Sequence, residues 1–304
     1  MGTSLLDDSI APAIQELHER GLPNPEVLLW TGTGAGMLPR SLTDSVSLPL
    51  GRLPGVPASW HDSVLHAGRA GDLTIWLIDD APRELNTPGS EDPRTPPWAR
   101  GYPAWLAAAA GAVLCLHTSA GSVLPQPSEP SASDDPDQVP GHEPPAPGTL
   151  FFPSDHLNLS GRTPLTALGE TGLGPLFPDQ TTLHHAALRA TALERCASLG
   201  LAAATGVVAC SLGPALETPA ERRWMATAGA AVSVQGLAAP FHACAHAGLA
   251  LLSIVVLTDA GQRPLDMAAL VAASEAAAPG LEDLLGHLLG DVAEVVHEIL
   301  GEEA

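Results

Sequence analysis

Apolar positions along the chain fall into two periodicities. Short, nearly continuous apolar runs at 26–30, 72–78, 112–117, 149–152, 201–211, 230–234 and 249–258 predict buried strands. Between them, helical spacing predicts helices at 9–19, 102–111, 182–199, 240–247, 267–276 and 281–300. The last carries Leu284, Leu288, Val292, Val295, Val296 and Ile299 on one stripe and ends in Glu302-Glu303, which suits a core-facing helix rather than a membrane-surface one. Strands alternating with helices predict an α/β fold, a three-layer sandwich around a central mixed sheet.

Two segments follow neither period. Residues 81–98 are rich in Pro, Glu and Asp, and residues 125–148 form a Pro/Ser/Asp-rich tract with few apolar side chains. Neither buries enough to fold alone, so both are expected as loops on a single domain spanning 1–304. The second directly follows the polar stretch Thr118 to Ser122, and it reads either as a lid at a pocket mouth or as a plain surface loop.

Charge narrows the partners. The formal net charge is −21, and all 13 basic residues are Arg. Such a surface argues against nucleic acid and anionic membrane, and a phosphate-bearing ligand would need arginines focused locally. The four cysteines, Cys115, Cys196, Cys210 and Cys244, are far apart in apolar runs, as expected of free thiols in a reducing compartment. The N-terminus has Asp7 and Asp8 but no basic start of a signal peptide, and no unbroken apolar stretch is long enough to span a bilayer. A cytoplasmic protein is expected.

The most informative stretch runs from Gly213 to Arg222. Thr218 followed by Glu221 has capping-box spacing, with Pro219 at the favoured first helical position, so a helix is predicted to start at Thr218. Glu217 is then left at a strand-to-helix corner, where a buried acid needs a partner and can read a ligand N–H group.

This G-P-x-x-E-T-x-A-E-x-R segment resembles a signature of the trimeric purine nucleoside phosphorylase family, which includes methylthioadenosine phosphorylases. Three further segments in the same order share the resemblance. Gly32-Thr33-Gly34-Ala35-Gly36 is similar to the family's G-S-G-x-G loop, Leu65-His66-Ala67-Gly68-Arg69 to G-H-x-G-R, and Ser154 to Leu159 to R-D-H-I-N-L. The likeness spans about residues 25 to 275.

The resemblance implies phosphorolysis of a purine nucleoside to free base and pentose 1-phosphate, with inorganic phosphate as co-substrate, no other cofactor, no metal, and a homotrimer. By position it assigns phosphate binding to Thr33, His66, Thr118, Ser119 and Gly236, and ribose binding to Gln235. It assigns the purine to Ala120, Gly121, Leu216, Glu217 and Asp259, with Glu217 and Asp259 as the catalytic pair. An Asp at position 259 accepts hydrogen bonds and so suits a 6-amino purine, where an Asn suits a 6-oxo purine.

The chain also departs from the pattern. Asp79-Asp80-Ala81-Pro82 stands where the family places an Arg and a His, Val234-Gln235-Gly236 replaces G-M-S, Ala238-Ala239-Pro240 replaces V-P-E, and 264–279 lacks the ribose-binding His. Charge-assisted hydrogen bonds are roughly twice as strong as neutral ones, so loss of that Arg weakens an anion site. Arg69, Arg83, Arg94 and Arg100 are the candidates to replace it. The alternative reading is a weakened paralogue that binds purines or nucleosides without phosphorolysis. Hydrolysis by water is a minor variant.

Four other patterns have plainer explanations. His242 and His246 have metal-ligand spacing, but no third ligand is evident nearby, so packing is expected. His184-His185 is expected as a solvated pair opening a helix, and Asp155-His156 as loop scaffolding. His117 reads either as a core histidine or as a pocket residue.

Overall fold

All five residues of β1 (Val27–Thr31) are buried, as befits a strand covered on both faces. The structure, a computed structural model, describes residues 4–32, 41–79, 95–125, 145–259 and 267–302. The other strands are β2 (Thr43–Pro49), β3 (Val64–Ala70), β4 (Leu73–Asp79), β5 (Leu114–Val123), β6 (Leu150–Asn158), β7 (Ala203–Ser211), β8 (Ala230–Gln235) and β9 (Ala250–Asp259). They form one mixed sheet in the order β2-β3-β4-β1-β5-β8-β7-β6-β9. A further pairing of β5 with β9 closes β5, β8, β7, β6 and β9 into a ring.

The helices are α1 (Leu5–Glu19), α2 (Tyr102–Ala110), α3 (Ala186–Leu199), α4 (Pro219–Thr227), α5 (Ala238–Ala247), α6 (Met267–Asp291) and α7 (Ala293–Glu302). Period-two alternation in the central strands sorts side chains into two layers. Leu28, Trp30, Trp76, Ile78 and Cys115 pack with α1, α2 and α5 through Leu6, Ile10, Trp105 and Phe241. Val27, Leu29, Ile75, Leu77, Leu114 and Leu116 pack with α3, α6 and α7 through Leu188, Leu284, Leu288 and Val296. The helix–sheet–helix sandwich around a mixed sheet is therefore present as the sequence pattern predicts. All four cysteines are free and buried.

Several expected boundaries move. Helix α1 starts at Leu5 rather than residue 9, because Ser4 and Asp7 form a reciprocal capping box, and Pro12 lies inside the helix. The polar stretch Thr118 to Ser122 is the second half of β5, held by β8 and β9, rather than a loop. Asp155 and His156 lie on β6, paired with Val207 and Val208 of β7, rather than on a loop. Helix α3 begins only at Ala186, since the His185 ring accepts from the Leu188 N–H as its N-cap. Helix α6 runs through Pro279, where burial of Leu281, Leu284, Leu285 and Leu288 outweighs the helix-breaking residue. Strands β2 and β3 carry the His66 motif as an antiparallel hairpin that hydrophobic periodicity did not announce. Trp98, at the end of the first Pro-rich segment, is buried within a short 3-10 helix at Pro97–Gly101. Thr33 with the rest of its Gly-rich loop, Asp80, Arg83, Arg94 and most of 81–98 and 125–148 lie outside the described residues.

Candidate active site

Beyond Ser211 at the end of β7, the chain turns through a cis Gly213–Pro214 bond and enters α4. The Thr218 Oγ1 accepts from the Glu221 N–H at 3.3 Å, and Glu221 Oε2 accepts from the Thr218 N–H at 2.6 Å. The predicted capping box thus forms, and it fixes where α4 begins. Glu217 sits one residue before the cap and is 6 % exposed, while Arg222, one turn inside α4, is 2 % exposed.

These two buried charges face each other. Ser211 Oγ donates to Glu217 Oε1 at 2.6 Å, and Ser233 Oγ donates to Oε2 at 3.4 Å. Arg222 Nη1 lies 3.7 Å from that same Oε2. Asp259, the last residue of β9, approaches from another direction: Arg222 Nη2 is 3.9 Å from its Oδ1. Ser122 donates to Asp259 Oδ2 and accepts from Arg222 Nη1 at 3.0 Å, and Arg222 Nη2 also donates to the Val123 carbonyl. The buried acid has the partner that its burial demands.

Closure of the sheet makes this meeting possible. Strands β7 and β8 run antiparallel to β5 and β9, so Glu217 and Asp259 do not share one row of parallel strand ends. In register, Ser122 lies opposite both Ser233 of β8 and Asp259 of β9. Its neighbour Gly121 is squeezed between the same strands. A Cβ there would lie 2.6 Å from Val255 Cγ1 and 2.7 Å from Val232 Cγ1, so glycine alone fits. Ala120 and Ser119, half-buried, and Thr118, fully buried, continue β5 away from the acid pair.

Leu216 is 40 % exposed beside the buried Glu217, placed to offer an apolar face to a ligand. The Gln235 side chain donates through Nε2 to the Ala215 carbonyl at 3.0 Å, which ties it to the loop bearing Glu217. Gly236 follows it with φ +82°.

The residues assigned to phosphate are more dispersed. Gly32, at the root of the Gly-rich loop, donates its N–H to Thr118 Oγ1 at 2.9 Å, and a Cβ on it would lie 2.5 Å from the Thr118 carbonyl. His66 lies mid-strand in β3, with Nδ1 2.7 Å from Ser47 Oγ. At the carboxyl end of β4, Asp79 Oδ1 accepts from Thr31 Oγ1 at 2.9 Å, so a carboxylate is built into the strand end where the resemblance calls for a cation. Arg69 does not compensate for it. It pairs with Thr74 and donates to the Asp72 carbonyl at 2.8 Å, at the opposite end of β4.

Three of the remaining histidine expectations are settled by burial. His184 is buried and its Nε2 lies 3.0 Å from His156 Nδ1, so the 184–185 pair is not a solvated face. His242 packs on the same cluster, with ring centroids 5.9 Å from His156, and burial pushes both His184 and His242 down to about 4. His246 instead accepts from Trp105 Nε1 at 2.9 Å, and no group of three or more metal-ligating side chains occurs among the described residues. His117 is a core residue lying edge-on to Trp30, with burial lowering its pKa to about 3.

Sequence reasoning singled out Glu217 and Asp259 but missed Arg222, Ser122, Ser211 and Ser233 as their partners. Arg222 closes the very motif that carries Glu217 and could have been found there. Ser211 lies on the same strand-to-helix connection as Glu217, whereas Ser122 and Ser233 gave no local signal, because register between distant strands places them.

Comparison with known proteins agrees with this fold. The Phosphorylase superfamily profile matches residues 141–289. Purine nucleoside phosphorylase 1 of Geobacillus stearothermophilus is 25% identical over 265 residues, covering 85% of this chain and 86% of that protein. Purine nucleoside phosphorylase of Cellulomonas sp is 33% identical over 147 residues, 46% of this chain and 48% of that protein. A schistosoma purine nucleoside phosphorylase solved in complex with hypoxanthine superposes with TM-score 0.77 at 16% identity, over 95% of this chain and 98% of that one. The chain thus has the fold of purine nucleoside phosphorylases and is similar to them in sequence over most of its length.

Proposed function

We propose that this protein cleaves the N-glycosidic bond of a purine nucleoside, with inorganic phosphate as co-substrate and no further cofactor, giving free base and pentose 1-phosphate. The observation that carries the reading is the convergence of Glu217 and Asp259, from different strands, on one buried arginine. An ionised carboxylate only accepts hydrogen bonds, so the pair is suited to a base that presents N–H groups. As the bond breaks, electron density flows into the purine. Glu217 and Asp259 then stabilise or protonate the leaving base while phosphate attacks the anomeric carbon.

Asp259 favours a 6-amino purine in this reading. The whole chain, 1–304, acts as one domain, assembled as a homotrimer in the cytoplasm. No helix among the described residues is long and apolar enough to cross a membrane.

One observation favours a second reading. Asp79, held by Thr31 at the end of β4, puts negative charge where the co-substrate anion would sit. A protein that binds purines or nucleosides without phosphorolysis is the alternative. The test is an assay with inosine, guanosine, adenosine and methylthioadenosine, each with and without phosphate. Base release that requires phosphate supports the enzyme. Purine binding without turnover supports the alternative, and neither binding nor turnover overturns both.

A further inference from the structure

Buried arginines usually form close, bidentate pairs with a carboxylate. Arg222 does not. Its short contacts go to the Ser122 hydroxyl, at 3.0 Å, and to the Val123 carbonyl, whereas its ion-pair distances to Glu217 and Asp259 are 3.7 and 3.9 Å. The guanidinium is anchored to the end of β5 and faces both acids.

We propose that Arg222 is the positioning residue of the base site, fixing Glu217 through its charge and Asp259 through the Ser122 hydroxyl.

The direction of the hydrogen bonds supports this. A serine hydroxyl has one proton, and a guanidinium has only donors. Because Arg222 Nη1 donates to Ser122 Oγ, the Ser122 proton is left to point at Asp259 Oδ2. The relay therefore runs one way, from Arg222 through Ser122 to Asp259. On the other side, Ser211 donates to Glu217 Oε1, and Oε2 faces both Ser233 and Arg222. Glu217 Oε1 and Asp259 Oδ2 thus each accept from a serine, and the other oxygen of each acid faces the guanidinium. Two buried like charges repel unless a counter-charge is shared between them, and Arg222 is that charge. Arg223, next in sequence, is exposed and makes none of these contacts, so position along α4 selects the role.

The proposal rests on the purine-site reading. Its test is calorimetric titration of the purified full chain with adenine and hypoxanthine, on wild type, Arg222→Gln, Arg222→Ala, Ser122→Gly and Arg222→Gln/Ser122→Gly. Circular dichroism establishes that each variant is folded. Arg222→Gln is expected to weaken base affinity by about tenfold or more, with a smaller loss for Ser122→Gly. The double variant should lose less than the product of the two, because both act through one relay. Millimolar guanidinium should restore affinity to Arg222→Ala and do nothing for wild type, a result that a purely structural arginine would not give.

If Arg222→Gln is unfolded, Ser122→Gly still tests the relay: wild-type affinity in that variant overturns it. Folded Arg222 variants with undiminished base affinity also overturn the proposal. A wild-type protein that binds neither base overturns the purine-site reading instead.

Discussion

Ser211 Oγ donates to Glu217 Oε1 at 2.6 Å, so the last residue of β7 holds the acid that stands just before α4. Both lie on one strand-to-helix connection. A carboxylate at 6 % exposure depends on such donors, because a lost donor leaves its desolvation uncompensated. Ser211→Ala is expected to destabilise the protein by about 1–3 kcal/mol in urea unfolding. The same variant should lose affinity for purine bases, read by calorimetry.

In the proposed function, Asp259 is the residue that reads the edge of the base. Asp259→Asn replaces an acceptor-only group with one that also donates, while keeping an oxygen for the Ser122 hydroxyl. The ratio of kcat/KM for adenosine to that for inosine should fall by about tenfold or more. An unchanged ratio would remove Asp259 from the base site.

If phosphate binds at the end of β4 as proposed, the carboxylate of Asp79 opposes it. Asp79→Asn keeps an oxygen able to accept from Thr31 Oγ1 but removes the charge. The phosphate concentration giving half-maximal rate should drop several-fold, with nucleoside KM little altered. If phosphate dependence does not move, the strand end carrying Asp79 lies away from the co-substrate.

His156, His184 and His242 meet from β6, the segment before α3, and α5, with Phe241 between His156 and His184 and with Asp155 and Arg189 nearby. Burial lowers His184 and His242 from 6.5 to about 4. Between those values the unfolded chain binds protons that the native state does not, so native stability rises with pH there. The contribution is complete above pH 6.5 and is lost as pH falls through about 4. The melting temperature should therefore decline across that window, and His184→Gln should flatten the slope.

Much of the architecture was legible in local pattern. Seven of the strands announced themselves as apolar runs because each is buried on one or both faces. Helix α4 announced itself through Thr218, Pro219 and Glu221, whose capping chemistry is complete within four residues. Continuation of α6 through Pro279 was not legible, since the burial of Leu281 to Leu288 against distant strands decides it.

Local pattern in the chain specifies the layered α/β plan, the buried acid at 217 and the motif around it, because these depend on periodicity and on contacts a few residues apart. Long-range strand pairing is what brings Asp259 to the arginine beside Glu217. The polar stretch Thr118 to Ser122 had to become strand, and β5 had to pair with both β8 and β9, before Ser122 could stand between Ser233 and Asp259. Arg222, 100 residues from Ser122 in sequence, reaches it only through that closure. Pairing across such separations is set by the free energy of the whole core, which no local window of the chain contains.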